Sequence, residues 1–223
     1  MICRLLCATV LLCATACDSG GQKAATTAEA DETESHARPT ATATGGDASV
    51  VGTIHATIDG EERTWYVLEG EVNGVREASA FWYETESGAP QALIAGYDTE
   101  DVPFETFGRP GAPTGHYTGS AMTLVIVLPP GETAWASPLP GVDDTGVLYM
   151  PSVVDGPLFG MTDGQLEVTS LDAPRPGTGS ISGTFRGTMQ IPPGSDRTLT
   201  VTDGRFGVEE LTYREELPGA DRP

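Results

Sequence analysis

Few side chains in this sequence could act as catalysts or metal ligands, and histidines are the scarcest of them. Of three histidines, only His55 and His116 fall where the pattern indicates a folded domain. A serine hydrolase needs a nucleophile, a histidine base and an oxyanion hole. The chain has no G-x-S-x-G segment, and the G-S-I-S-G run at 179–183 has the wrong spacing. Zinc patterns such as H-E-x-x-H or H-x-H are also missing. We therefore predict no catalytic residue, no metal-binding residue and no cofactor.

Carboxylates are abundant by contrast, with 32 Asp and Glu against 12 Lys and Arg, for a net charge of −20. The acidic groups at 98–101 (with Glu105) and at 143–144 offer hard oxygen ligands to calcium. Neither has the ordered spacing of a calcium loop, and we expect solvated loop charge. Two carboxylates about 5–10 Å apart would serve a glycosidase, but among so many acids such a pair arises by accident. A carboxylate-dependent hydrolase therefore stays a second alternative.

The same charge excludes other classes of function. A strongly negative field repels nucleic acid and anionic lipid head groups, so we predict no nucleic-acid partner. Lys23 is the only lysine, and it lies outside the expected domain. The domain thus lacks the lysine of a phosphate-binding loop or a Schiff base.

The chemistry that the sequence does locate is acylation of a cysteine. Arg4 precedes an apolar run at 5–16, which is too short to cross a bilayer core of about 30 Å as a helix. Ala14, Thr15 and Ala16 then lead directly into Cys17. This segment resembles the lipobox of bacterial lipoproteins, although Ala14 stands where leucine is commonest. The resemblance implies cleavage before Cys17 and diacylation of its thiol, so Cys17 is the predicted lipidation site.

The resemblance also implies a place in the cell. We expect the chain in the bacterial cell envelope, held by lipid to the outer membrane rather than the inner one. Asp18 resembles the inner-membrane retention signal of enteric bacteria, a rule that does not transfer reliably to other groups. The other cysteines lie inside the signal, so the exported domain has no disulfide and must be stable through packing alone.

Composition divides the remaining chain into a tether, a domain and a tail. Residues 18–49 contain no aromatic side chain and no Leu, Ile, Val or Phe. Such a segment has no apolar face to bury, so we expect residues 17–49 to be a lipidated, disordered tether. Short alternating apolar runs cut by Gly and Pro fill residues 50–213 and are typical of an all-β domain. Residues 214–223 are expected to be a disordered tail.

The strongest local signal in the domain is Asn73-Gly74, which lies between two alternating runs and predicts a two-residue hairpin. Opposed residue numbers would then sum to a constant. The pairs that follow are Trp65 with Trp82, Tyr66 with Phe81, and Glu71 with Arg76.

Further strand candidates lie at 91–96, 115–128, 147–150, 165–171, 179–191 and 198–209, with a turn or bulge at Asp203-Gly204. In the 179–191 run Ile181, Phe185 and Met189 share one face, while Ser182, Thr184, Arg186 and Thr188 face water. The fold class is therefore all-β, an antiparallel β-sandwich or a barrel-like pair of sheets with about eight to eleven strands. The proline-rich stretch at 129–157 is expected to be irregular.

The C-terminal part carries a second resemblance. Its segments Gly179-Ser180-Ile181-Ser182-Gly183-Thr184-Phe185 and Val201-Thr202-Asp203-Gly204-Arg205-Phe206 resemble a G-x-I-S-G-T-F … V-T-D-G-x-F pattern of uncharacterised Gram-negative lipoproteins. That family implies a β-rich envelope domain and no particular activity.

We interpret the chain as a lipid-anchored, non-catalytic protein with a structural, adhesive or partner-binding role. The first alternative is a carbohydrate-binding module, in which Trp65 and Trp82 would stack on sugars.

Overall fold

The alternating runs become eleven β-strands in the computed structural model, which describes residues 48–72, 75–85, 88–102, 117–140, 145–191 and 196–215. The prediction of an all-β domain is confirmed. No helix with the length and apolar character needed to cross a membrane occurs in these residues. The strands are β1 Ser49–Ile58, β2 Glu61–Val72, β3 Val75–Ala78, β4 Ala80–Glu84, β5 Pro90–Tyr97, β6 Ala121–Val127, β7 Trp135–Leu139, β8 Gly146–Met150, β9 Phe159–Asp172, β10 Thr178–Gln190 and β11 Thr198–Tyr213.

These strands form one sheet that closes on itself. Its order runs β10-β9-β8-β6-β5-β4-β11, and β11 pairs again with β10, which completes a ring. The neighbours are antiparallel except β4 and β11, which share a short parallel ladder. β1 pairs with β11, β2 pairs with β1, and β2 also pairs briefly with β5. The closed ring corresponds to the barrel-like alternative of the predicted fold class.

Alternation along the strands directs apolar side chains into the ring. The predicted inward face of β10 is confirmed, because Ile181, Phe185 and Met189 are all buried. Trp65 and Phe159 are fully buried in the same cluster. Burying each large apolar side chain stabilises the fold by about 1.5–3 kcal/mol. The interior is thus a packed core that side chains from nearly every strand fill.

The Asn-Gly hairpin has the predicted register over its first four pairs. Glu71 pairs with Arg76, and the last pair joins Glu69 to Ala78. The turn itself, residues 73–74, lies outside the described residues.

Beyond Ala78 the hairpin prediction is wrong. Trp65 pairs with β1 instead of Trp82, and Trp82 pairs with β5. The cause is Ser79, whose amide donates to the Leu68 carbonyl oxygen at 2.9 Å and whose Oγ accepts from the Leu68 amide at 2.8 Å. The Ser79 carbonyl oxygen then accepts from the amide of Ala95 on β5 at 2.7 Å. Ser79 therefore moves the chain from β2 to β5, and β4 starts a new pairing.

Two irregular features lie in the C-terminal half of the ring. Asp203 has a positive φ of 52°, and the pairing of β11 with both β1 and β10 shifts register there. The alternative of a bulge at Asp203-Gly204 is therefore the correct one.

The stretch predicted to be irregular contains β7, which pairs only with β9 and carries Pro138. A strand with one free edge tolerates proline because no amide is needed on that side.

Candidate binding groove on the outer sheet face

Several predicted positions lie outside the described residues. Cys17, the lipidation site, is one of them, and so are His116, Glu105 and the acidic pair at 143–144. Lipidation at Cys17 therefore stays a prediction from the sequence.

His55 lies on the outer face of β1, away from the core. Its Nδ1 is 2.8 Å from the hydroxyl of Thr64 on the neighbouring strand. Arg205 of β11 stands opposite on the other side. Burial, and secondarily the positive charge of Arg205, hold the pKa of His55 below its usual range. His55 is thus a neutral, threonine-bonded side chain at neutral pH.

The expectation of solvated loop charge is wrong for Asp98, because both of its carboxylate oxygens accept hydrogen bonds within the fold. One carboxylate oxygen accepts from the Tyr117 hydroxyl at 2.8 Å, and the other accepts from the Ser120 amide at 2.7 Å. Ser120 Oγ in turn accepts from the buried indole of Trp65 at 3.0 Å. Burial, with the Asp98 contact next, raises the pKa of the Tyr117 hydroxyl. Asp98 therefore ties the two sides of the 98–120 connection to the end of the core.

A metal centre finds no support at Asp98. Within the parts of the chain that the structure describes, no three His, Cys, Asp or Glu side chains form a group that could hold a metal ion.

Two open concavities lie along the outer faces of β10 and β11, next to β1 and β9. We call the two together the β10–β11 groove. One part, of about 440 Å³, is lined by Gln165, Glu167, Thr184, Phe185, Arg186, Asp203, Gly204 and Arg205. An adjoining part, of about 510 Å³, is lined by residues 50–53, 180–182 and 207–209.

Pairing registers fix the side chains of this groove in transverse rows. Thr53, Gly207 and Ser182 stand side by side on β1, β11 and β10. In the next row Arg205 faces Thr184. These residues alternate with the buried ones along their strands, so their side chains point outward. One end of the groove therefore carries Thr53, Ser182 and Glu209, and the other carries charges of both signs: Arg186 and Arg205 with Glu167 and Asp203.

Gly207 forms the floor of the groove, although the packing of the strands does not require a glycine at this position. A Cβ added there would meet no atom within 4 Å. At Gly183, by contrast, it would lie 2.2 Å from the Glu167 carbonyl oxygen. Gly183 is therefore needed for the close approach of strands, whereas Gly207 leaves space open at the surface.

Arg186 and Arg205 are the positively charged groups of the groove. Both are exposed, and neither forms an ion pair, a hydrogen bond or a ring contact with another described residue. Other arginines are engaged: Arg63 pairs with Glu61 at 2.6 Å, and Arg214 lies over the ring of Phe81 at 4.6 Å. Two free guanidinium groups on one face stand out in so acidic a chain.

A second concavity, of about 350 Å³, lies beside Trp82. Its walls are Leu128, Leu171, Ala173 and the prolines at 90, 129, 130 and 174, with Glu132 and Asp172 at its edge. Trp82 is only 5% exposed, and its Nε1 has no hydrogen-bond partner among the described residues. Its ring packs on Tyr213 with centroids 4.6 Å apart. Trp82 is therefore a core residue that shows one edge to a small apolar hollow.

The sequence predicted the outward face of β10 but not the groove. Ser182, Thr184, Arg186 and Thr188 were expected to face water; Thr184 and Arg186 are exposed, and Ser182 and Thr188 are half-buried. The sequence did not show that β1 lies beside β10 and β11. β1 is the first strand of the domain and β11 is the last, and only the fold brings them together. Gly207, a glycine between the apolar residues Phe206 and Val208 and therefore on the outward face, was the available signal.

Comparison of the chain with protein-family models, with curated proteins and with solved structures finds no match. The resemblance of the C-terminal segments to Gram-negative lipoproteins thus stays a prediction from the sequence.

Proposed function

We propose that this chain is a lipid-anchored protein of the bacterial cell envelope whose β-domain binds a partner without catalysing a reaction. The anchor is the acylated Cys17 that the signal pattern predicts. The observation that carries the binding role is the β10–β11 groove, in which Gly207 keeps space open that packing does not require. The interior of the ring is packed with side chains, so recognition takes place on the outer face of the sheet.

A carbohydrate partner is favoured by the lining of the groove. Ser182, Thr184 and Gln165 offer hydroxyl and amide groups, the chemistry that recognises sugar hydroxyls. The aromatic version of this idea is wrong: Trp65 is fully buried and Trp82 is 5% exposed, so the two do not form a stacking platform. Polar contacts would have to carry the recognition of sugars.

The carboxylate-dependent hydrolase stays in second place. Glu167 and Asp203 both line the groove and are the carboxylates at which such an activity would be sought. Both are exposed on an open sheet face. A catalytic acid needs a site that excludes water and raises its pKa. Turnover of a bound glycan that is lost in Glu167→Gln would favour the hydrolase.

Binding to isolated envelope fragments tests the proposal. The detergent-solubilised full chain should bind them saturably, and the bound chain should be recovered with the fragments unaltered. Gly207→Tyr should reduce this binding because it fills the groove, whereas Ser137→Ala, whose exposed hydroxyl on β7 bonds only to the adjacent Pro138 carbonyl oxygen, should not. Equal binding by both variants would place recognition elsewhere, and no saturable binding would contradict the role.

A further inference from the structure

We propose that a serine protease that cuts after basic residues releases the β-domain from its membrane anchor by one cut, between Lys23 and Ala24. The inference rests on the anchor proposed at Cys17 and adds the peptide bond at which the anchored chain is opened. Hydrolysis adds one water across this bond and leaves a carboxylate on Lys23 and an amine on Ala24. The soluble product would carry the whole β-domain.

Proline follows the basic residues of this chain more often than its composition predicts. Lys and Arg total 12, and only Arg4 precedes Cys17, so eleven follow it. With 17 prolines in 223 residues, about one of the eleven would be followed by proline by chance. Four are followed by proline, namely Arg38, Arg109, Arg175 and Arg222.

A proline after a basic residue protects the bond between them from such a protease. The catalytic histidine of a serine protease must deliver a proton to the leaving nitrogen. The proline ring places a carbon on that nitrogen, removes its hydrogen and fixes φ. It also restricts the backbone of the preceding residue. These effects act at the bond itself, so they protect it in any surrounding structure.

Arg175 shows where this protection matters within the described residues. It lies in the connection between β9 and β10 and is exposed together with Pro176 and Gly177. Exposed loops with small or polar residues are the preferred sites of proteolytic cutting. Pro176 therefore protects a bond in the connection between two of the longest strands.

Other arginines of the domain lie in or directly before paired strands. Four lie inside strands: Arg63, Arg76, Arg186 and Arg205. Arg197 directly precedes β11, whose first residue Thr198 pairs with Gln190, and its guanidinium lies over the Phe159 ring at 5.4 Å. A protease needs an unpaired segment, so these bonds become cleavable only when a strand leaves the sheet.

Arg214 follows the last strand, and glutamate comes after it. Its amide donates to the carbonyl oxygen of Trp82 at 2.9 Å, and its guanidinium lies over the Phe81 ring at 4.6 Å. A cut after Arg214 would remove only residues 215–223 and leave every described strand in place. Such a cut would not change the released domain.

Lys23 has neither form of protection, because alanine follows it and it lies outside the β-domain. The other residues at 20–26 are small or uncharged, which suits proteolytic cutting. Arg38, the other basic residue of the expected tether, is followed by Pro39. A protease of this class therefore finds one unprotected bond between the anchor and the domain, and a cut there leaves the short segment 17–23 with the lipid.

Trypsin treatment of membranes that carry the acylated full chain tests the proposal. We expect the chain to sediment with the membranes before treatment. Trypsin should then release a product that begins at Ala24 and contains all residues up to Arg214, which mass spectrometry measures. Lys23→Gln should keep the chain on the membrane, with a release half-time about tenfold longer or more at the same protease concentration.

Variants of the expected tether test the role of proline without changing the β-domain. In the Lys23→Gln background, Pro39→Ala should restore release, with a product that begins at residue 39. Thr40→Ala in the same background is the matched control. It keeps the Arg38-Pro39 bond and should not restore release.

A trypsin cut inside residues 50–213 of the membrane-bound chain would overturn the inference and leave the proposed anchor standing. Equal release rates with and without Lys23→Gln would do the same, and so would equal release of the Pro39→Ala and Thr40→Ala chains. A chain that does not sediment with the membranes before trypsin is added would contradict the anchor, and the proposed release with it.

Discussion

Ser79 and Leu68 bond to each other twice: the Ser79 amide donates to the Leu68 carbonyl oxygen, and the Ser79 hydroxyl accepts from the Leu68 amide. A serine side chain thus takes the place of a backbone carbonyl at the point where pairing with β2 ends. Both residues are buried, so water cannot replace the hydroxyl. The route of the chain from β2 to β5 depends on this contact.

Ser79→Ala should lower the free energy of unfolding by about 1–3 kcal/mol, because the buried Leu68 amide loses its acceptor. Urea denaturation measures the change as a lower midpoint with a similar slope. The control is Ser137→Ala, whose hydroxyl bonds only to the adjacent Pro138 carbonyl oxygen at the surface. A loss at Ser79 no larger than at Ser137 would mean that the hydroxyl does not stabilise the crossover.

The inward-facing Gly183 and the outward-facing Gly207 should change the free energy of unfolding in opposite directions when each is replaced by alanine. Gly183→Ala should destabilise by about 1–3 kcal/mol, because the new methyl would overlap the Glu167 carbonyl oxygen and the Phe206 ring. Gly207→Ala should stabilise by about 0.5–1 kcal/mol, since alanine loses less backbone entropy and meets no atom. Thermal unfolding of both variants checks this, and a destabilised Gly207→Ala would show that the groove floor is packed.

Calcium and magnesium at equal ionic strength should raise the melting temperature alike. Asp98 already accepts two internal hydrogen bonds, so any added salt acts by screening the negative charge. A specific site would instead give a saturating gain of about 2.7 kcal/mol at a hundred times Kd. Such a gain with calcium alone, lost in Asp98→Asn, would reveal a calcium site.

His55 should make the fold less stable as the solution becomes mildly acidic. Its pKa is lowered in the folded state, so between that value and about 6.5 the unfolded chain binds more protons. The free energy of unfolding therefore falls as the pH drops below about 6.5, and the fall ends below the folded pKa. His55→Gln keeps a partner for Thr64 and should flatten the profile between pH 7 and 5. An identical slope in both proteins would assign the pH dependence to other groups.

Cys17→Ala should abolish metabolic labelling with a fatty acid and release or stall the protein. Each buried methylene contributes about 0.8 kcal/mol, and stable anchoring needs more than one chain. Cys13→Ala, inside the expected signal, is the matched control and should still be labelled. A Cys17→Ala protein that stays with membranes after a high-salt wash would show that the anchor lies elsewhere.

The features of the fold that could be predicted from the sequence are those that depend on residues close together in the chain. The hairpin register up to Ala78 and the inward face of β10 both follow from turn chemistry and alternation. The break at Ser79 was hidden because it depends on Ala95 and Leu68, which only the fold brings together. The groove was hidden for the same reason, since β1 and β11 lie at opposite ends of the domain sequence.

The closure of the sheet leaves few places where another chain could add a strand. Among the described strands, β3 and β7 pair with one neighbour each, whereas every other strand pairs with at least two. β3 has four residues, and β7 carries Pro138, both of which discourage edge-to-edge pairing. The acyl anchor proposed at Cys17 would concentrate copies of the chain in two dimensions, where strand pairing would spread from molecule to molecule. With its edges blunted, a domain anchored in the proposed way would stand densely on a membrane without polymerising.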